Sequence, residues 1–122
     1  MFNIILIVGL GGFLGSIFRM LSINFINKFF PYSIGFGTLF INILGSFAIG
    51  ICFSYAQNKG LSPLLKNFIN TGFLGAFTTF STFSYENLTL LQSGSYFHLF
   101  LNIIFNVILC LLAVWLGFVI FK

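Results

Sequence analysis

Acid is almost absent from this sequence. Among 122 residues there is one carboxylate side chain, Glu86, against five Lys and Arg. One His and two Cys are the only further candidates for reactive chemistry. With no nucleophile–base pairing to assign, the set is too small for an enzyme. Cys52 and Cys110 each sit inside an apolar run without metal-ligand spacing. They read as packing residues, not as a disulfide or a metal site. Charge of either sign is scarce, 5% of residues, where a soluble domain carries about 25%. Such a chain cannot cover a water-facing surface. The bases are spread thinly, so the net charge of +4 forms no cluster and gives nucleic acid no footprint. Linkers, low-complexity tails, heptads and internal repeats are also missing, which leaves residues 1–122 as one domain.

What is present is hydrocarbon. Residues are 59% hydrophobic, 20 of them Phe, and mean hydropathy is +1.13. A bilayer-spanning helix takes about 20 apolar residues, so the chain reads as an all-α integral membrane protein with four spans. The first runs from Asn3 to Asn27. It is not read as a signal peptide, because it lacks a basic leading segment and further spans follow. Gly11 and Gly15 in this span have the spacing that brings helices close. The glycines at 9, 11, 12 and 15 do not make a dinucleotide-binding pattern. Arg19 reads either as an interfacial arginine snorkelling to headgroups or as a base drawing anions into an aqueous vestibule.

The loop Lys28–Tyr32 places aromatics at headgroup depth, with Pro31 as the stop. The second span covers Gly35 to Ala56, with Thr38, Asn42 and Gly45 or Ser46 recurring on one face. A midspan Asn needs a partner, so Asn42 is either interhelical glue or a group facing water. After the loop Gln57–Pro63, the third span runs from Leu64 to Leu91, too long for one crossing. The loop Gln92–His98 leads to the fourth span, Leu99 to Phe121, where Asn102 and Asn106 form a second polar stripe at i, i+4. His98 and Trp115 are placed toward the interface, in contact with membrane lipid.

The stretch Gly72–Glu86, GFLGAFTTFSTFSYE, is the exception to the apolar pattern. Its hydroxyl residues must find internal partners or line a cavity, and an interruption near Gly75–Thr79 accounts for the excess length. Phe80 and Phe83 lie at i, i+3 and are flanked by Thr79, Ser81, Thr82 and Ser84. Two phenylalanines on one face are ordinarily packing residues. Within a polar wall, their positive ring edges, the hydroxyls and the Asn42 amide can coordinate a small dehydrated anion. A fixed charge would hold such an ion too tightly for rapid passage.

The run Gly75-Ala76-Phe77-Thr78-Thr79-Phe80-Ser81-Thr82-Phe83-Ser84-x-Glu86 resembles the signature of the Fluc (CrcB) fluoride channels. So do Gly11-Gly12-x-x-Gly15 with Arg19, and Gly37-Thr38-Leu39-x-x-Asn42-x-x-Gly45-Ser46-Phe47. The resemblance implies a passive, fluoride-selective channel of the cell membrane that releases cytoplasmic fluoride and relieves its toxicity. It implies an antiparallel, dual-topology dimer of four-span subunits with two pores at the interface. Phe80 and Phe83 would contribute ring edges, Asn42 a donor, and Ser81, Thr82 and Ser84 a hydroxyl track. Arg19 would line the vestibule, and backbone carbonyls of Gly75 and Thr78 would hold a structural sodium ion at the dimer centre. Ala76 departs from the family, where a second glycine is frequent.

A small multidrug exporter is the alternative of similar size. Proton coupling needs a titratable group at membrane depth, and the one acid, Glu86, falls past the interruption toward an interface. A non-transporting scaffold would not need the hydroxyl–phenylalanine wall. For orientation, Lys59, Lys66 and Lys122 share one side and Lys28, with Arg19 nearby, the other, a mild bias for a cytoplasmic N-terminus. So small a bias permits both orientations, hence a homodimer. The rival is a heterodimer with an oppositely biased sister subunit.

Overall fold

The computed structural model describes residues 1–31 and 34–122; Tyr32, expected in the first loop, lies outside the described residues. All regular structure among them is helical. Three helices are long and apolar enough to cross a membrane: α1 (Phe2–Phe29), α2 (Phe36–Asn58) and α6 (Tyr96–Ile120). The chain is a multi-pass membrane protein. Between α2 and α6 the expected third span is a series of pieces. These are α3 (Pro63–Lys66), a π-helical segment (Asn67–Leu74), α4 (Gly75–Phe77) and α5 (Phe80–Gln92).

Local chemistry sets the ends. Gly35 opens α2 at φ 99°, a left-handed conformation that a side chain would strain. Ser62 caps α3, accepting from the Leu65 N–H at 3.2 Å, with Pro63 at the first helical position.

Glycine contacts hold the long elements together, and they do so backbone to backbone. A Cβ on Gly50 of α2 would overlap the Val114 carbonyl, and one on Gly117 of α6 the Phe47 carbonyl. These two helices therefore lie side by side in the same direction, with Asn42 level with Asn106 and Gly50 with Val114. The expected Gly11–Gly15 face of α1 packs on the π-helical segment. A Cβ on Gly11 would come within 2.6 Å of the Phe68 carbonyl oxygen, and one on Gly15 would overlap that of Phe73. Gly72 meets α1 from the other side, 2.8 Å from the Val8 carbonyl oxygen by the same construction. The wider π register is local to this contact, its last bond running from the Gly75 N–H to the Asn70 carbonyl.

Candidate functional site

The helix of the third region stops at two extended residues. Thr78 has φ −83° and ψ 157°, and Thr79 has φ −150° and ψ 121°. Thr78 ends the first half by donating both its N–H (3.1 Å) and its hydroxyl (3.0 Å) to the Leu74 carbonyl. Thr79 starts the second half, its Oγ1 accepting from the Thr82 N–H at 3.1 Å as the cap of α5. The hydroxyls of the TTFSTF run thus do the work of the interrupted backbone ladder.

Asn42 holds the break from α2. Its Oδ1 accepts from the Thr79 N–H at 2.8 Å, and its Nδ2 donates to the Thr79 carbonyl at 3.2 Å. The same Nδ2 donates to Asn106 Oδ1 at 3.2 Å. In a continuous helix the Thr79 N–H would go to the Gly75 carbonyl and that of Thr82 to the Thr78 carbonyl. Asn42 takes the first donor and Thr79 Oγ1 takes the second. The carbonyls of Gly75 and Thr78, expected from the resemblance as cation ligands, are among those that the break deprives of their ladder donors. Hard oxygen donors of this kind fit Na⁺.

Around the break lies a cavity of about 390 Å³ lined by Asn42, Ser46, Thr78, Phe80, Phe83 and Asn106 among others. The rings of Phe80 and Phe83 stand 5.4 Å apart at 55°. They differ in setting: Phe83 is 7% exposed and Phe80 78%. Thr82 Oγ1 accepts from the Thr79 hydroxyl at 3.2 Å, and Ser81 Oγ lies 3.2 Å from the same oxygen. None of the expected track hydroxyls, Ser81, Thr82 and Ser84, lines the cavity; Ser81 and Ser84 lie on an exposed α5 face with Phe80, Tyr85 and Leu88. Arg19 is also outside the cavity. It is half-buried on α1, ten residues before Phe29, about 15 Å along the axis. It therefore lies deeper along its helix than its distance from Met1 suggests.

The structure adds a polar chain that the sequence reading only touched. Asn106 Nδ2 donates to the Asn102 carbonyl at 2.9 Å and to Asn102 Oδ1 at 3.2 Å. Asn102 Nδ2 donates to Asn87 Oδ1 at 2.7 Å. Asn102 and Asn106 are both buried. Beside them Thr38 donates to Glu86 Oε2 at 2.6 Å, while Glu86 Oε1 is buried without a partner. Asn87 and the Thr38–Glu86 contact were missed. The signal available was the matching four-residue spacing of Thr38 and Asn42 on one helix and Asn102 and Asn106 on the other.

Residues 6–118 match the family described as CrcB-like protein, Camphor Resistance (CrcB). A relative from Campylobacter jejuni, named fluoride-specific ion channel FluC, is 76% identical over 122 residues, covering all of both chains. Relatives of the same name from Campylobacter fetus and Shewanella baltica are 51% and 48% identical. The first covers 99% of this chain and 95% of the relative, the second 94% and 93%. On a match that runs through nearly its whole length, this chain belongs to the CrcB family.

Proposed function

We propose that this protein is a passive fluoride-selective channel that releases fluoride from the cytoplasm, and that the break at Thr78–Thr79 with its Asn42 clamp is the centre of its permeation path. The name shared by the relatives supports the ion, and the geometry supports the place. Fluoride must exchange its water for donors that are neutral and fixed. The Ser81, Thr82 and Ser84 hydroxyls, the Asn42 amide and the ring edges of Phe80 and Phe83 offer such donors. Both Asn42 amide hydrogens are engaged at 3.2 Å. These are long bonds, and fluoride takes one of them by exchange.

The broken third region completes a four-span subunit, and two subunits pair antiparallel. Two hydroxyls, Ser81 and Ser84, lie on the exposed face of α5 beside Phe80 and Tyr85. Facing lipid, that face would leave the Ser84 hydroxyl without a partner; covered by a second copy, it forms the wall of two pores. The small excess of Lys59, Lys66 and Lys122 over Lys28, with Arg19 nearby, still permits both orientations, and so favours a homodimer over a heterodimer. At the centre, the freed carbonyls of Gly75 and Thr78 from both copies would hold Na⁺, whose charge offsets the repulsion between those oxygens. Arg19 borders the vestibule outside the constriction.

The observation that carries this reading is the diversion of the Thr79 N–H to Asn42, which opens the helix beside the two phenylalanines. Liposomes loaded with potassium fluoride and containing the purified protein test it. Valinomycin should release fluoride with no proton gradient imposed. Release only under an imposed proton gradient would overturn the channel in favour of an exporter.

A further inference from the structure

The two amide hydrogens of Asn42 have partners that are not equivalent. One goes to the Thr79 carbonyl at 3.2 Å, beside the 2.8 Å bond from the Thr79 N–H to Asn42 Oδ1. Those two bonds close a ring, so giving up either loosens the break itself. The other hydrogen goes to Asn106 Oδ1, also at 3.2 Å, on a helix that takes no part in the break. Asn42, Asn106, Phe80 and Phe83 line one cavity. An anion there meets one Asn42 hydrogen that is tied to the fold and one that is free to exchange.

Asn106 is built to accept at this point and not to donate. Its Nδ2 hydrogens go to the Asn102 carbonyl at 2.9 Å and to Asn102 Oδ1 at 3.2 Å. Asn102 is held in turn by donating to Asn87 Oδ1 at 2.7 Å. The side-chain bonds all run one way, from Asn42 through Asn106 and Asn102 to Asn87. Turning the Asn106 amide around would set its oxygen against two oxygens of Asn102. Asn102 and Asn106 are each 6% exposed, and Asn42 is the donor to Asn106 Oδ1. An ion that takes that hydrogen leaves a buried acceptor without a donor, which costs free energy.

We propose that Asn106 sets how weakly fluoride binds: it is a fixed acceptor that competes with the ion for the exchangeable hydrogen of Asn42 and takes it back as the ion leaves. The proposal deepens the channel reading above and rests on it. Rapid passage requires a site that the ion can leave. Where every donor is neutral and fixed, a competing acceptor shortens the stay without adding charge.

The test is fluoride current across planar bilayers, measured against fluoride concentration. Asn106→Ser removes the acceptor, because a serine hydroxyl is too short to reach Asn42 and bonds back to its own helix. Asn106→Leu removes it with the bulk retained. In whichever variant elutes as the folded parent does, half-saturating fluoride should fall roughly fivefold, and the saturating current should fall with it. An unchanged half-saturating concentration would reduce Asn106 to packing, and a raised one would make it a donor to the ion. Either result overturns the proposal while leaving the channel intact. A parent protein that passes no fluoride overturns both. A second measurement leaves the sequence unaltered. In protein with isotope-labelled asparagine, magnetic resonance at saturating fluoride should show coupling to fluorine at one Asn42 amide hydrogen and at neither Asn106 hydrogen. Coupling at Asn106, or none at Asn42, would contradict the competition.

Discussion

The two halves of the interrupted third region are held in place by different forces. Before the break, Asn67–Phe77 lies against α1 through glycine, with the Gly11, Gly15 and Gly72 positions touching backbone. After it, α5 and its cap are tied to the other helices by hydrogen bonds, Thr79 to Asn42, Glu86 to Thr38 and Asn87 to Asn102, beside the buried Phe83 and Leu90. It leaves a whole face uncovered. Close packing in a membrane protein gives a fixed position with no chemistry attached. Hydrogen bonds between side chains also fix position, but they can exchange with an ion. The first half is the fixed mount, and the second is the working surface.

Substitutions that strike one half and spare the other sharpen this contrast. The largest effect should come from Gly15→Leu, which drives a side chain into the Phe73 carbonyl. Overpacking against backbone should cost about 3 kcal/mol or more, and size-exclusion chromatography should show loss of the folded protein. Asn42→Leu comes next. It leaves both the N–H and the carbonyl of Thr79 without partners, a loss of about 2–5 kcal/mol. Thermal unfolding in detergent should register it, and fluoride flux should stop.

Phe83→Ile and Phe80→Ile then separate folding from conduction. Both keep apolar bulk and remove the ring edge. Fluoride flux should fall by about tenfold or more, equivalent to about 1.4 kcal/mol in the barrier, while the unfolding temperature changes little. Normal flux from both variants would reduce the phenylalanines to packing. The smallest effect belongs to Thr78→Ser. The hydroxyl that bonds the Leu74 carbonyl remains, and the freed Thr78 carbonyl is backbone. Flux within about twofold of the parent is expected, under 0.5 kcal/mol.

Much of this contrast was legible in the residues. An apolar segment too long for one crossing, with two adjacent threonines and nearby glycines, marks an interruption, and the break falls at Thr78–Thr79. The Gly11–Gly15 spacing marked a close approach, and the approach is there. Asn42 could be read only as a residue needing a partner, because which backbone group it meets depends on how α2 lies against the break. Its observed bonds join the two readings, since it ties helices together and borders the cavity. The partner of Glu86 was not legible for the same reason: Thr38 is 48 positions away, and only the relative register of α2 and α5 brings them to 2.6 Å. The π-helical register of Asn67–Leu74 was also hidden. It appears where α1 approaches across glycine; the α1 spacing marks that approach but carries no signal for the register of the segment facing it.

The claim on which the account turns is that the working half selects fluoride by fixed neutral donors in a narrow path. Parallel efflux of fluoride and chloride from the same batch of proteoliposomes, under the same potassium-driven potential, tests it most directly. Fluoride should leave rapidly and chloride at the rate of protein-free vesicles. Equal release of the two ions would contradict the account.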